Sequence, residues 1–449
     1  MKARNPRALD IYTATGAIRN AAALPRREDR ALVMTGDSKR YRMIQKKKRP
    51  ALLFATSILG ALMPAIVTRA AEESGGLAEK LALEPPEFDI GDTTIKLGGV
   101  AGGAFFNAHQ SAGPAYPSYD FARMSTQARA NIRAQRIFDN GLILGAGGDF
   151  LLYHDSLSGD QYGNDFVEKA FLFAQTGFGR VELGEQDGVG FTLGLVGPAT
   201  NSEVTLENRS ISLFHDPVAG EDFARIFGSV AAVQSTSNFA KINYLTPRLF
   251  GIQIGASFTP ETVRSPLPFT GNPRNTFDSP HNIWEVAGSY TGYVSNIALG
   301  LSAAYAQGSL KNGTPGADDL YDWALGAQAA AMISEVRLSL GGGYRESNVY
   351  LLETDSVLPH GGTHATHLSA TLEWQKWIAG VEYSLAEVSG PVDYDIRGYQ
   401  ISGGYRLNDN LQLTAGWQWY DYRRNLGTFY NGRPGIDMNG AFLSLSYEL

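Results

Sequence analysis

From Thr93 to Leu449, apolar and polar residues alternate in segments of roughly ten, separated by turn residues. In EVRLSLGGGYRE, Val336, Leu338, Leu340 and Tyr344 share one side, and Arg337, Ser339 and Arg345 the other. HLSATLEWQ sets Leu368, Ala370, Leu372 and Trp374 against His367, Ser369, Thr371 and Glu373. LQLTAGWQW sets Leu411, Leu413, Ala415, Trp417 and Trp419 against Gln412, Thr414 and Gln418. A period of two is that of a strand whose faces meet different surroundings. The pattern predicts sixteen strands, at 93–106, 121–138, 141–154, 165–176, 178–186, 237–247, 249–259, 283–294, 295–307, 321–333, 334–346, 364–376, 377–389, 395–407, 410–423 and 437–448.

The connectors fall into two classes. Asp139-Asn140, Gly177, Thr246-Pro247-Arg248, Val294-Ser295 and Asn408-Asp409 are tight. Long ones lie at 107–120, 155–164, 187–236, 260–282, 308–320, 347–363, 390–394 and 424–436. An even set of strands with short turns at one end and long loops at the other is the pattern of a transmembrane barrel. The fold class is therefore all-β: a sixteen-stranded antiparallel transmembrane β-barrel. A soluble sandwich would bury its apolar faces and needs no two-class connectors, and a propeller would repeat a blade. In lipid, only a closed sheet satisfies every backbone group. Trp284, Trp374, Trp377, Trp417 and Trp419 lie near segment ends, where interfacial girdles form.

One stretch is ambiguous alone. FARMSTQARANIRAQR (121–136) reads at period 3.6 as an Ala-rich helix with Arg129, Arg133 and Arg136 on one stripe. At period two, Arg123, Arg129 and Arg133 oppose Met124, Ala128, Ile132 and Ala134. Its place among sixteen alternating segments decides for the strand.

Composition agrees: the 449 residues include 51 Gly, 11% aromatic and 18% charged residues, a β-rich balance. The lack of cysteine removes disulfide frameworks and Cys-based sites. The net charge of −7 hides an asymmetry: residues 1–70 carry 15 Lys/Arg and 4 Asp/Glu, and the remainder is acidic. An acidic body argues against a nucleic-acid partner. Residues 43–70 read as a signal peptide, with Lys46–Arg49 as its cationic start, Ala51–Val67 as its apolar core and cleavage after Ala70. Residues 1–42 read as a misannotated upstream extension, and 71–92 as a short periplasmic extension before the 93–449 barrel.

The chain resembles the Gram-negative general porins, of the alphaproteobacterial type, over about Thr93–Leu449. The resemblance rests on FGRVELGEQDG (178–188), on Tyr244, Pro247 and Gly251 in AKINYLTPRLFGIQIGASF, and on the alternating closing strand AFLSLSYEL. The departure is Leu449, where the family usually ends in Phe. The resemblance implies a homotrimer of barrels in the bacterial outer membrane, surrounded by lipid and lipopolysaccharide. Each would be a water-filled channel for passive diffusion of small hydrophilic solutes and ions, and not an enzyme.

It also implies that the third outer loop, 187–236, folds inward. That loop carries Glu203, Glu207, Asp216, Glu221 and Asp222, expected to face Arg123, Arg129, Arg133 and Arg180 across the constriction, with Arg136 a further candidate. The alternative is local pairing of these arginines with nearby carboxylates. Lys169 is left out, because it shares parity with Phe171 and Phe173, read here as lipid-facing. Small outward residues on the first strands, including Gly99, Ala101 and Gly103, suggest a subunit interface.

Other chemistries find less. His360, His364 and His367 match no zinc spacing. Asp318, Asp319 and Asp322 in GADDLYD form a candidate Ca²⁺ site against the simpler reading of a solvated acidic loop. A hydrolase would need a nucleophile motif such as Gly-x-Ser-x-Gly, which is missing. A sugar- or oligosaccharide-specific channel would show a ladder of lumenal aromatics, and none is found at inward parity. An adhesin would need no pore.

Overall fold

The computed structural model describes residues 86–111, 118–154, 167–201, 204–206, 232–236, 238–262, 279–311, 318–348, 362–389, 393–425 and 436–449. The expectations for 1–42, 43–70 and most of 71–92 lie outside these residues. So do Glu203, Glu207, Asp216, Glu221, Asp222 and His360.

A short strand, β1 (Glu87–Ile90), precedes sixteen longer ones. They are β2 (Thr93–Ser111), β3 (Tyr119–Ile137), β4 (Ile143–His154), β5 (Val167–Thr176), β6 (Gly179–Glu185), β7 (Ala240–Leu245), β8 (Ile252–Glu261) and β9 (Ser279–Val294), then β10 (Ile297–Lys311), β11 (Leu320–Ile333), β12 (Val336–Ser347), β13 (Gly362–Trp374), β14 (Trp377–Ser389), β15 (Asp393–Arg406), β16 (Leu411–Asn425) and β17 (Ile436–Glu448). Each of these sixteen pairs antiparallel with the next. β17 returns to β2 from Asp437↔Ser111 to Glu448↔Val100, which closes the barrel without a free edge.

Several strands outrun the predicted bounds at their long-loop ends, β2 to Ser111 and β10 to Lys311. Alternation fades there because both faces leave the apolar layer, while backbone pairing continues. β1 is new: it pairs with β2 from Glu87↔Lys96 to Ile90↔Thr93. It continues the line of β17 along β2, since Leu449 exchanges backbone hydrogen bonds with Gly99 and the Leu97 amide donates to the Pro86 carbonyl. Among the described residues, four tight turns begin with a non-glycine residue at positive φ: Phe250 (53°), Ser295 (59°), Ser334 (58°) and Gln375 (52°). A positive φ at the first turn residue lets two residues join strongly twisted strands.

The outer face explains the fold's solvent. Leu325, Leu340, Leu368, Val381, Ile401 and Leu445 are about half exposed on it, a surface suited to lipid. No helix among the described residues is long and apolar enough to cross a membrane. Trp377 packs on Tyr405 beside one set of turns, where an interfacial girdle forms, and Tyr383 packs on Tyr399 at mid-strand.

Candidate functional site

The inner face is polar and is crossed by the chain itself. After β6, residues 186–201 and 204–206 run along the wall, starting with the single-turn helix α1 (Val189–Thr192). The Val189 amide donates to Ser257 Oγ at 2.8 Å on β8, and the Gly190 amide to Glu285 Oε2 at 3.0 Å on β9. The Leu195 amide donates to Ser302 Oγ at 2.9 Å, Gly197 to His367 Nδ1 at 3.2 Å, and Leu206 to Glu382 Oε2 at 3.1 Å. Thr200 meets Ser402 at 2.6 Å, and Asn201 Nδ2 donates to Ser444 Oγ at 2.7 Å on β17. The loop is thus tied to the barrel from β8 round to β17.

Small wall residues make room for it. At Gly326 a Cβ would strike the Leu195 carbonyl, and at Gly341 it would press on Pro198. The returning limb closes on the same anchors. The Thr236 hydroxyl donates to Glu285 Oε1, and Val233 joins Val189, Leu193 and Ile283 in a buried apolar cluster. Lys241 Nζ donates to the carbonyls of Gln186 and Thr236, linking both ends of the loop. These ties satisfy loop amides that would otherwise lack partners.

The charged part of the wall is β3–β6. Arg123, Arg129 and Arg133 take the inner side of β3, opposite the outward Met124 and Ile132. Arg180 and Glu182 are inward on β6, where Val181 and Leu183 face out. Arg136 has the opposite parity and pairs with Asp92 at 2.7 Å at the turn end, so it leaves the lumenal set.

The parity assigned to Lys169 is corrected. Phe171 and Phe173 are inward and nearly buried, at 9% and 6% exposed, while Leu172 between them is 61% exposed on the outer face. Gly147 and Gly145 stand opposite them on β4, and a Cβ at either would collide with the ring. Lys169, on the same side, therefore also points inward. The glycines at alternate positions of β4 were the signal in the sequence, because they mark space for large neighbours on the same face.

The arginines are locally partnered. Arg129 lies 3.7 Å from Glu168, whose side chain sits at a bulge in the β4–β5 pairing. Arg133 meets Asp149 at 2.9 Å, Lys169 meets Asp149 at 3.5 Å and Asp187 at 2.6 Å, and Arg180 meets Glu182 at 2.6 Å. Arg129, Arg133, Lys169 and Arg180 are thus balanced by Glu168, Asp149, Asp187 and Glu182. Arg133 also lies over Phe171 at 5.0 Å, and Arg180 over Phe173 at 3.9 Å. Such stacking adds about 0.5–1 kcal/mol at exposed sites.

Other candidates separate. His364 and His367 sit on opposite faces of β13, with His367 buried against the loop. Asp322 is buried and takes a two-bond fork from Arg345, both bonds 2.8 Å, whereas Asp318 is exposed and Asp319 accepts from the Leu310 amide. Inward aromatics do occur beyond β5: Phe106, Phe442, Tyr420 and Tyr422 share inward parity, yet none is more than 9% exposed.

A closed sixteen-stranded barrel with an apolar outer face and a loop laid through its polar interior is an outer-membrane channel. The chain belongs to the Gram-negative porin family, whose model matches residues 91–449. It is similar in fold to OmpF of Salmonella typhi, solved in complex with daunomycin, at 14% identity over 81% of this chain and 100% of that one, with a TM-score of 0.51. It is also similar to the anion-selective porin from Comamonas acidovorans, at 15% identity over 80% and 100% of the two chains, with a TM-score of 0.48. No curated protein sequence matches it. The protein is an outer-membrane porin.

Proposed function

We propose that the barrel passes small hydrophilic solutes and ions by passive diffusion between the inward loop and the charged wall of β3–β6. The observation that carries this reading is the loop track, pinned by hydrogen bonds from Ser257 on β8 to Ser444 on β17. Such a loop narrows a barrel on one side and leaves passage along the other.

In this reading Arg123, Arg129, Arg133, Arg180 and Lys169 line the narrowest part, with Glu203, Glu207, Asp216, Glu221 and Asp222 as the opposing acids. Their inward parity supports the basic half. Nearby carboxylates temper the field, so selectivity is modest and falls with salt, the screening length being about 8 Å at 0.15 M. A Ca²⁺ among Asp318, Asp319 and Asp322 is not part of this reading, because Arg345 engages Asp322.

Export through the signal peptide and assembly as a homotrimer complete it. Outward rows of Gly99↔Ala130, Ala101↔Ala128 and Gly103↔Thr126 support close packing between subunits, while the remaining outer face meets lipid and lipopolysaccharide. Native mass spectrometry in mild detergent should give a trimer whose chains begin at Ala71. Monomers would contradict the interface, and a retained 43–70 segment the leader. Liposome swelling tests the passage itself: small sugars should enter at rates falling with size and without saturation.

A further inference from the structure

Phe171 and Phe173 occupy the inner face of a strand where water would favour polar side chains. Their rings lie toward β4, where Gly147 and Gly145 leave the space. The rings contact each other, with centroids 6.4 Å apart and planes inclined by 46°. Arg133 covers one ring and Arg180 the other, so four side chains from β3, β5 and β6 form one continuous stack. The guanidinium groups explain how two phenylalanines are sealed from a wet lumen.

Each guanidinium is held from several directions. Arg133 has Phe171 beneath it, Asp149 at 2.9 Å, and donates to the carbonyls of Ile132 at 3.1 Å and Gly148 at 3.2 Å. Arg180 has Phe173 beneath it and Glu182 at 2.6 Å. Both keep part of their surface toward the passage, at 34% and 28% side-chain exposure. An arginine bound only to one carboxylate retains rotation about its flexible stem; a ring face under the planar guanidinium removes much of it.

We propose that Phe171 and Phe173 are positioning residues of the pore: they hold Arg133 and Arg180 flat against the wall, and so set the free cross-section of the passage. The inference rests on the conducting lumen proposed above. Without the ring, Arg133 keeps its charge but leaves the wall and intrudes on the passage. The rings act through the arginines and touch no permeating ion.

The test is a double-mutant cycle on single-channel conductance in planar bilayers, using the full barrel and checking folding by heat-modifiable gel mobility. Phe171→Leu preserves apolar bulk and removes the ring face. In the parent background it should lower conductance and raise open-channel noise. In an Arg133→Gln background the same change should do neither, since no guanidinium remains to release. Equal effects in both backgrounds, no effect in the parent, or a rise in conductance would overturn the proposal. If Phe171→Leu fails to fold, Phe173→Leu with Arg180→Gln runs the same cycle and is read by the same criteria. Failure of the parent barrel to conduct would reject the channel reading itself, whereas conduction without coupling rejects only the role of the rings.

Discussion

Glu285 accepts a hydrogen bond from the Gly190 amide at 3.0 Å, across 95 residues of sequence and from the wall to the outgoing limb of the loop. The same carboxylate takes the Thr236 hydroxyl from the returning limb. One buried side chain therefore holds both limbs of the loop.

Removing it should loosen the loop before it harms the barrel. Hydrogen bonds to a charged acceptor are each worth about 1.5–3 kcal/mol. Glu285→Ala should widen the distribution of single-channel conductances and make the loop more sensitive to protease. Glu285→Gln, which keeps one acceptor, should fall between. Parent-like conductance in the alanine variant would remove Glu285 from the loop's anchorage.

Asp322 and Arg345 should show the asymmetry of a buried ion pair, being 0% and 1% exposed at their side chains. Asp322→Ala strands the Arg345 charge and should cost about 3–5 kcal/mol of stability. Pairing it with Arg345→Met should recover much of that loss. The midpoint of thermal loss of the folded gel band reads both, and a double variant no better than the single one would contradict the pair.

Gly326 on the inner face of the wall and Gly288 on its outer face offer a contrast. A Cβ at Gly326 meets the Leu195 carbonyl, while at Gly288 the nearest atom is Gln253 O at 3.8 Å. Gly326→Ala should shift the loop and change conductance, and Gly288→Ala should leave it as in the parent. Equal behaviour of the two would mean the loop does not lie against β11.

Arg129 and Arg133 should bias ion preference. Changing both to Gln leaves Glu168 and Asp149 without their arginine partners and should move the reversal potential toward cations in dilute salt. The shift should shrink near 1 M salt, where screening reaches about 3 Å. A reversal potential unmoved at low salt would place both residues away from the constriction.

The strands were legible because lipid and lumen impose opposite demands on successive residues, and Val336–Leu340 or His367–Trp374 record them without interruption. The inward side of β5 was not. The rule that apolar residues face lipid fails where Gly145, Gly147, Arg133 and Arg180 build a dry recess inside the wall. β1 is too short for a periodicity, and its partner on β2 is visible only once the barrel closes. The loop's course was also hidden, because its ties are backbone amides reaching residues such as Ser302 and His367, more than 100 positions away. Glu285, His367 and Glu382, polar residues in mid-strand at inward parity, were its trace in the sequence.

The most direct test of the whole account is the current through the purified protein in a planar lipid bilayer. Stepwise insertion of long-lived open channels, with conductance rising with salt and unaffected by added sugar, is the predicted result. A bilayer that stays silent with correctly folded protein would contradict the account, and saturable block by a sugar would replace general diffusion with a specific channel.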